Sequence, residues 1–217
     1  MQKATLTISS RNYSSWSMRG WLVCKMSGLE FEVEQLAIDD PGSRAELLLL
    51  SPSFLVPKLV HGEVEVWGPI AIGAYLHEVF PEAGLLPADT VARAYCRSIN
   101  GEMHSGFANL RAALPMNLKA RHAGWKAWSG AQADIERIRE IWSECLRRWG
   151  GPFLFGAWTI GDAMYAPVCT RFRTYDVKLE PELQAYCDRV LAHALVQEWY
   201  AGALAEPEEI EELEMEF

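Results

Sequence analysis

The feature that most constrains the fold is a change of hydrophobic periodicity near residue 82. Before it, short segments that alternate apolar and polar residues are interleaved with segments of helical spacing. After Pro81 and Pro87 the alternating segments stop, and only helical spacing continues as far as about residue 203. The chain is therefore predicted to be α/β + all-α, with a small α/β half followed by an all-helical half.

In the first half the patterns follow the order strand, helix, strand, helix, strand, strand, helix (βαβαββα). Strands are predicted in ATLTIS, FEVEQL, VPKLV and VEVW, and the last two are spaced as a hairpin around His61 and Gly62. Helices are predicted before Gly28, in SRAELLLL from Ser43, and in IAIGAYLHEVF. Strand-helix-strand units imply parallel pairing, to which the hairpin adds an antiparallel edge.

In the second half the spacing predicts one long helix over 90–114, which Pro115 ends, and another over 125–149. A third helix is predicted in TIGDAMYAPVCTRF, followed by two shorter ones over 180–192 and 194–203. Thr159 and Asp162 have the spacing of a capping box, with Asp in place of Glu or Gln. We therefore expect Asp162 to stabilise the fold.

Charge is concentrated at one end of the chain. The formal net charge is −9, and seven acidic residues lie in the last twelve positions, EPEEIEELEMEF. An acidic chain disfavours nucleic acid as a partner, because phosphate contacts need Lys and Arg. The predicted organisation is a first domain over 1–82, a linker over 83–88, a helical domain over 89–205 and an acidic tail over 206–217. The tail is either a solvated, frayed terminus or a docking segment.

The spacing of the cysteines and the length of the apolar runs disfavour several other classes of protein. The five cysteines are widely spaced and odd in number and form no C-x-x-C pair, which argues against a disulfide framework, a zinc or other metal site and a redox dithiol. Most are expected to be small core residues. No apolar run approaches the roughly 18 residues of a membrane span, and the start does not resemble a signal peptide, so we expect a cytoplasmic protein without membrane partners.

Three stretches, in this order, resemble the cytosolic glutathione transferase family. YSSWSMRGWLVCKMSGLEFE is similar to the strand-to-helix loop and first helix of its serine and cysteine classes, which are zeta- and omega-like. SPSFLVPKLV resembles the family's N-P-x-x-x-V-P-x-L segment, and FGAWTIGDAMYAPV resembles a buried capping segment of its second domain. The resemblance implies a thioredoxin-like first domain, a helical second domain, glutathione as co-substrate, a small-molecule electrophile as substrate and a homodimer.

The resemblance also implies a hydroxyl at the mouth of the first helix. A free thiol has a pKa of roughly 8.5, and a helix N-terminus with a hydroxyl donor lowers it by stabilising the thiolate. Counting back from Gly28 at the family's spacing reaches Ser14, the catalytic candidate, with Ser15 and Tyr13 as alternative donors; Arg19 falls where those classes often carry arginine. The residues alone equally allow Ser14 or Ser15 to be only an N-cap, worth about 1 kcal/mol.

Val56 and Pro57 match the family segment in which a cis proline presents the preceding backbone to glutathione. At the start of the third helix the family has an acidic residue or Gln followed by Ser or Thr, which bind the γ-glutamyl carboxylate. This chain has Gly68 and Pro69 there. Proline suits the first helical turn but has neither hydroxyl nor N–H. The usual γ-glutamyl site is therefore altered.

In the second domain the resemblance makes His104, Phe107 and Arg111 the substrate-pocket candidates. A His or Arg there would bind an acidic substrate, and Met116 with Trp125 or Trp128 would form an apolar wall. The alternative is that Phe107 is core and Arg111 a surface or dimer-contact residue. For the whole protein three functions stay open: a transferase or isomerase that uses a glutathione thiolate, a binding or scaffold protein that has lost glutathione, and an enzyme that uses another thiol or no thiol.

Overall fold

A computed structural model describes residues 3–36 and 56–207 of the chain. The described residues form two compact units. The first contains 3–36, 56–85, 117–119 and 198–207, and the second contains 86–116 and 120–197. The helix predicted in SRAELLLL lies outside the described residues, as do Ser51 to Leu55 of the SPSFLVPKLV segment.

The first unit is built on a four-stranded sheet of order β2-β1-β3-β4. Its strands are β1 (Ala4–Ile8), β2 (Glu32–Gln35), β3 (Lys58–His61) and β4 (Val64–Trp67). Helix α1 (Ser15–Met26) follows β1, and α2 (Pro69–Val79) follows β4, with a short 3-10 helix over Pro81–Ala83 after it. Leu6 and Ile8 of β1 and Leu59 of β3 are fully buried, as their apolar positions predict. In β2 and β4 the alternation does not correspond to burial, because Val33, Val64 and Trp67 are exposed.

Strand direction agrees with the sequence only in part. β1 and β2 pair in parallel through α1, and β3 and β4 form the antiparallel hairpin, as predicted. β3, however, runs antiparallel to β1, with Leu6 opposite Leu59, so the parallel pairing expected of the second strand-helix-strand unit is wrong. The connection from β2 to β3 is about twenty residues long, and sequence order alone does not fix the direction in which so long a connection returns.

The long elements of the second unit are all helices. Its helices are α3 (Thr90–Ser105), α4 (Ala108–Ala113), α5 (Ser129–Trp149), α6 (Ile160–Thr174) and α7 (Pro181–Ala192). Helix α8 (Ala194–Ala205) begins in this unit, and its residues from Glu198 onward belong to the first unit. No helix among the described residues is long and apolar enough to cross a membrane.

Two helix predictions need correction. The helix predicted over 90–114 is interrupted at Gly106 and Phe107, where Phe107 adopts a left-handed conformation with φ 58°. The apolar spacing continues across the break because Met103, Phe107 and Leu110 are all buried, so the pattern hides it. The helix predicted over 125–149 begins four residues later, at Ser129, after Gly124 with φ 77°.

The core of the second unit is centred on Trp142, which is fully buried among the rings of Tyr165, Phe172 and Tyr186 at 5.0–6.0 Å. All five cysteines are buried and free, as expected for core residues. Burial raises the pKa of the Cys96 thiol, for example, to about 12, which keeps it protonated.

The predicted capping box is present at the start of α6 and is buried in the same core. One carboxylate oxygen of Asp162 accepts from the backbone N–H of Thr159 at 2.9 Å, while the Thr159 side chain caps the helix. The other oxygen accepts from the Leu154 N–H at 3.0 Å and from the Tyr186 hydroxyl at 3.2 Å. Burial raises the pKa of Asp162 to about 6, against the effect of these hydrogen bonds.

Candidate functional site

Ser14 is the N-cap residue of helix α1. Its backbone is extended, its Oγ accepts from the Ser17 N–H at 3.2 Å, and its own N–H donates to the Ser10 carbonyl at 3.0 Å. The Ser14 side chain is almost completely buried. The N-cap role that the sequence allowed is therefore present. A hydroxyl that accepts one hydrogen bond still carries a proton to donate, so the cap and a donor role are chemically compatible.

Ser15 is the first residue of the helix and is paired with a buried cation. The Arg19 guanidinium, one turn further along, donates to the Ser15 Oγ at 3.3 Å and is 1% exposed. It lies over the Trp16 ring, 5.1 Å from the centroid. The first turn of α1 therefore combines two hydroxyl groups, a fixed positive charge and the N-terminal end of a helix dipole.

Tyr13, the third donor candidate, is buried in the same loop. Its backbone N–H donates to the Ser10 Oγ at 3.3 Å. The loop that leads into α1 is therefore held by internal hydrogen bonds on the N-terminal side of the candidate hydroxyl groups.

The Val56–Pro57 segment packs directly on α1. The peptide bond between the two residues is cis, as the resemblance implied. A Cβ added at Gly20 would lie 2.5 Å from the Pro57 Cβ and 2.6 Å from its Cγ, so glycine is the residue that allows this approach. The Pro57 carbonyl accepts from the Gly68 N–H at 2.9 Å. These contacts bring α1, Pro57 and the start of α2 together.

Gly68 and Pro69 form the start of α2 in a way that explains their identities. Gly68 has φ 80°, which favours glycine, and its carbonyl accepts the first helical hydrogen bond from Ile72 at 3.0 Å. Pro69 is buried at the first helical position, and α2 has no side-chain cap. The backbone is well suited to a helix start, but neither residue supplies a side-chain donor for a carboxylate.

The loop before Ser14 is also fixed by residues distant in sequence. The Asn12 side chain is fully buried, donates to the Asn117 Oδ1 at 3.1 Å and accepts from the Leu118 and Lys119 N–H groups at 2.7 and 3.1 Å. Glu206, which immediately follows α8, is 8% exposed, and its carboxylate accepts from the same loop. A solvated, frayed tail from residue 206 is therefore wrong for Glu206. Residues 208–217 lie outside the described residues.

The substrate-pocket candidates lie in the second unit. His104 is exposed in the last turn of α3, and Phe107 is buried at the start of α4. Arg111 is half-buried in α4. Its pKa is lowered, because the effect of burial exceeds the opposing effect of Asp134. Burial places Phe107 in the core of its unit, the alternative that the sequence left open.

A second arginine that the sequence analysis did not single out lies near Arg111. Arg171 of α6 is buried, donates to the Leu114 carbonyl at 2.7 Å, and has its pKa lowered to about 9 by burial and by the neighbouring charge of Arg111. The two guanidinium groups therefore repel each other, and Asp134 offsets part of the charge of Arg111. Of the expected apolar wall, Met116 is buried, Trp125 packs against Tyr175 and Trp128 is 51% exposed.

Glu206 and Arg171 were missed because each acts through contacts far away in sequence. Glu206 is one of seven acidic residues in a short terminal stretch, and nothing local separates it from the others. Arg171 lies in a helix whose pattern is dominated by apolar residues. The one local signal for Arg171 is a charged residue within a helix that is otherwise buried almost throughout.

Comparison with known families finds two matching models. The glutathione S-transferase N-terminal domain matches residues 13–79, and the glutathione S-transferase C-terminal domain matches residues 126–202. Together they cover more than half of the chain. The first match contains the Ser14 and Ser15 turn, the cis proline and the start of α2, and the second contains α5, α6 and α7.

Individual relatives point the same way. The chain is 27% identical over 184 residues to a probable maleylacetoacetate isomerase of Caenorhabditis elegans, covering 83% of this chain and 84% of that protein. A glutathione transferase homolog from Burkholderia gl BGR1, solved with bound glutathione, has a TM-score of 0.70 at 25% identity and covers 95% and 100% of the two chains.

A maleylacetoacetate isomerase from Anaeromyxobacter dehalogenans 2CP-1, solved with glutathione in its active site, has a TM-score of 0.68 at 25% identity. The alignment covers 95% of this chain and 99% of that one. Both family models, the thioredoxin-like and helical units and these relatives agree. The chain is a member of the glutathione S-transferase family.

Proposed function

We propose that this protein is a glutathione-dependent transferase or isomerase that holds the glutathione thiol as a thiolate at the start of α1. The observation that carries the proposal is the pairing of Ser15 with buried Arg19, next to the Ser14 cap. An anion at this end of the helix is stabilised by the helix dipole, by hydroxyl donors and by the guanidinium charge. Each of these effects lowers the pKa of a bound thiol.

Within this proposal each residue has a distinct role. Ser14 donates to the sulfur while its oxygen caps the helix, and Arg19 supplies positive charge and orients the Ser15 hydroxyl. The backbone of Val56, ahead of Pro57, pairs with the peptide part of glutathione, and Gly68 and Pro69 lie at the γ-glutamyl end. Glutathione supplies the sulfur nucleophile that adds to an electrophilic carbon.

The substrate is proposed to be a small electrophile with an acidic group. The support is Arg111, the arginine that the resemblance makes a substrate-pocket candidate, and the relatives whose names denote isomerases. Conjugation expels a leaving group from the electrophile. In an isomerisation, rotation about the former double bond is followed by expulsion of the sulfur, which regenerates glutathione. Arg19 and Ser14 then stabilise both the attacking and the departing thiolate.

Calorimetric titration of the purified protein tests the proposal. Glutathione is expected to bind, and its affinity is expected to rise with pH near neutrality as the thiol ionises. S-methylglutathione has no ionisable thiol and is the matched ligand, so its affinity should lack that pH dependence. If neither ligand gives heat or a thermal shift at millimolar concentration, the proposed enzyme function is wrong.

A second function is favoured by Pro69. The family's Ser or Thr gives a hydroxyl and an N–H to the γ-glutamyl carboxylate, and Pro69 has neither. Hydrogen bonds to a charge contribute about 1.5–3 kcal/mol each, so their loss weakens binding by about tenfold or more. A binding or scaffold protein of the same fold that has lost glutathione would give no heat in the same titration, and the experiment separates the two functions.

We further propose that the protein is a homodimer, as the family resemblance implies. The chain has a mass of 24.4 kDa, so light scattering of the purified protein is expected to give about twice that value. A monomer mass at micromolar concentration would contradict the assembly without affecting the glutathione site proposed above.

A further inference from the structure

The carboxylate of Glu206 is saturated with hydrogen bonds from the loop that precedes Ser14. Its Oε2 accepts from the Ser10 hydroxyl at 2.8 Å and from the Asn12 N–H at 3.2 Å. Its Oε1 accepts from the Arg11 N–H at 2.6 Å and from the Gln35 side chain at 2.6 Å. Two successive backbone N–H groups thus point at one buried anion, an arrangement that fixes the backbone of both residues.

The order imposed at Ser10 is passed on to Ser14 through the loop. The Ser10 Oγ that donates to Glu206 accepts from the N–H groups of Asn12 and Tyr13 at 3.1 and 3.3 Å. The Ser10 carbonyl accepts from the Ser14 N–H at 3.0 Å. Direct hydrogen bonds therefore connect the Glu206 carboxylate to Ser10, and Ser10 to the N-cap residue Ser14.

Glu206 is itself held in place by several contacts within the same unit. Its backbone carbonyl accepts from the Lys119 ammonium group, and its N–H donates to the Ala203 carbonyl at 3.2 Å. Nearby, the Arg11 side chain lies over the rings of Trp199 and Trp21, 4.8 and 5.7 Å from their centroids. The end of α8 therefore presents the carboxylate to the loop from a fixed position.

We propose that Glu206 is a positioning residue for the thiolate site, holding the loop so that Ser14 points its hydroxyl at the glutathione sulfur. This inference rests on the proposed function. It assigns Glu206 a role that is exerted through its hydrogen bonds to Ser10, Arg11 and Asn12.

Positioning and simple electrostatics predict opposite effects of the substitution Glu206→Gln. A negative charge near the sulfur opposes thiolate formation, so by charge alone its removal should lower the pKa of the bound thiol. If Glu206 positions the loop, its loss should raise that pKa, because Gln has one acceptor oxygen and an NH₂ group that cannot accept. Each carboxylate oxygen of Glu206 accepts two hydrogen bonds, so in either orientation of Gln at least one loop donor is left without its buried acceptor.

The experiment compares the full chain with Glu206→Gln and Glu198→Gln. Glu198 lies in α8, the helix that Glu206 follows, and pairs with Lys25 at the surface. Its substitution makes the same charge change without removing a hydrogen-bond acceptor from the loop. In the ligand-free proteins, amide hydrogen exchange of at least one of Arg11 and Asn12 should be about tenfold faster or more in Glu206→Gln alone, because a hydrogen bond to a buried charge is lost. Unchanged exchange would overturn the proposal.

With glutathione bound, the ultraviolet thiolate titration gives the second readout. The pKa of the bound thiol should rise by about half a unit or more in Glu206→Gln, which lowers the ratio of thiolate to thiol at fixed pH roughly threefold, and should not rise in Glu198→Gln. An unchanged or lowered pKa in Glu206→Gln would overturn the inference while leaving the proposed function intact. Absence of any thiolate in the unaltered protein would instead overturn the proposed function, and this role of Glu206 with it.

Should Glu206→Gln fail to fold, Ser10→Ala keeps the test decisive. This substitution removes the Ser10 hydroxyl that donates to Glu206. The carboxylate keeps its hydrogen bonds from Arg11 and Gln35. The same increases in exchange and in thiol pKa are expected, and their absence in a folded Ser10→Ala protein would contradict the proposal.

Discussion

The Arg19 guanidinium donates to the Ser15 hydroxyl at 3.3 Å, and the arginine is almost completely buried. A cation with so little access to water exerts a strong local field, because solvent does not screen it. Its position one turn into α1, beside the N-cap Ser14, places that field at the end of the helix that already favours an anion.

Removal of this charge is expected to raise the pKa of the bound glutathione thiol. Arg19→Met should raise it by about one unit, and Arg19→Lys, which keeps the charge but not the planar guanidinium, should raise it less. Ultraviolet thiolate absorbance against pH measures both variants. A thiol pKa that is the same in Arg19→Met and in the unaltered protein would show that Arg19 only supports the fold.

Gly20 is expected to be intolerant of a side chain. Because its Cβ would lie 2.5 Å from the Pro57 Cβ, Gly20→Ala should push Pro57 away from α1, destabilise the protein by about 1–3 kcal/mol and weaken glutathione binding. Gly101→Ala is the matched control, since Gly101 is exposed within α3 and a Cβ there meets nothing within 4 Å.

In a helix interior alanine is favoured over glycine, so Gly101→Ala should be neutral or stabilising by about 0.5–1 kcal/mol. Denaturant unfolding measures both substitutions. Equal effects of the two alanines would contradict the close approach of α1 and Pro57.

Pro69 offers a gain-of-function test. Pro69→Ala restores the N–H at the start of α2, and Pro69→Ser restores both the N–H and a hydroxyl. If Gly68 and Pro69 lie at the γ-glutamyl end, affinity for glutathione should increase from the unaltered protein to Pro69→Ala to Pro69→Ser, by about tenfold or more overall. Calorimetry gives the three dissociation constants, and identical constants would show that the carboxylate is bound elsewhere.

Asp162 is expected to give stability a distinctive pH dependence. In the folded protein the Asp162 carboxyl group stays protonated up to about pH 6. In the unfolded chain it loses its proton near the ordinary pKa of an aspartate. The folded state therefore binds more protons in this window, and the contribution of Asp162 to the free energy of unfolding falls as pH rises from about 4 to 6, by at most about 1.4 kcal/mol per pH unit.

Asp162→Asn lacks this titration, so the stability difference between the two proteins should shrink over the same window and be constant above it. Asp162→Ala removes all the acceptors and should be destabilised by about 3 kcal/mol or more at every pH. A stability difference from Asp162→Asn that widens as pH rises from 4 to 6 would contradict the raised pKa.

The sequence predicted what depends on neighbours along the chain. The Thr159 and Asp162 box and the β3-β4 hairpin involve residues within a few positions of one another, so their spacing is visible in the sequence. The Ser14 cap is equally local and was one of the alternatives that the sequence left open. The break at Phe107 was hidden because a buried residue keeps its place in the apolar pattern whether or not the helix continues.

Contacts between distant positions were not predictable. Glu206 meets Ser10 across nearly the whole chain, and Asn12 meets Leu118 across about half of it. Because such pairs depend on how the elements pack, a single sequence shows only that the residues are polar. The direction of β3 was missed for the same reason, since it depends on a long connection rather than on local pattern.

The decisive measurement for the thiolate site is the ultraviolet titration of bound glutathione, compared between the unaltered protein and Ser14→Ala. If Ser14 donates to the sulfur, the thiol pKa in the unaltered protein should lie well below the free value of roughly 8.5 and should rise by about one unit in Ser14→Ala. Ser14→Thr keeps the hydroxyl, so its thiol pKa should stay close to the unaltered value. A bound thiol with an ordinary pKa, or one that Ser14→Ala leaves unchanged, would contradict the proposal that Ser14 donates to the sulfur.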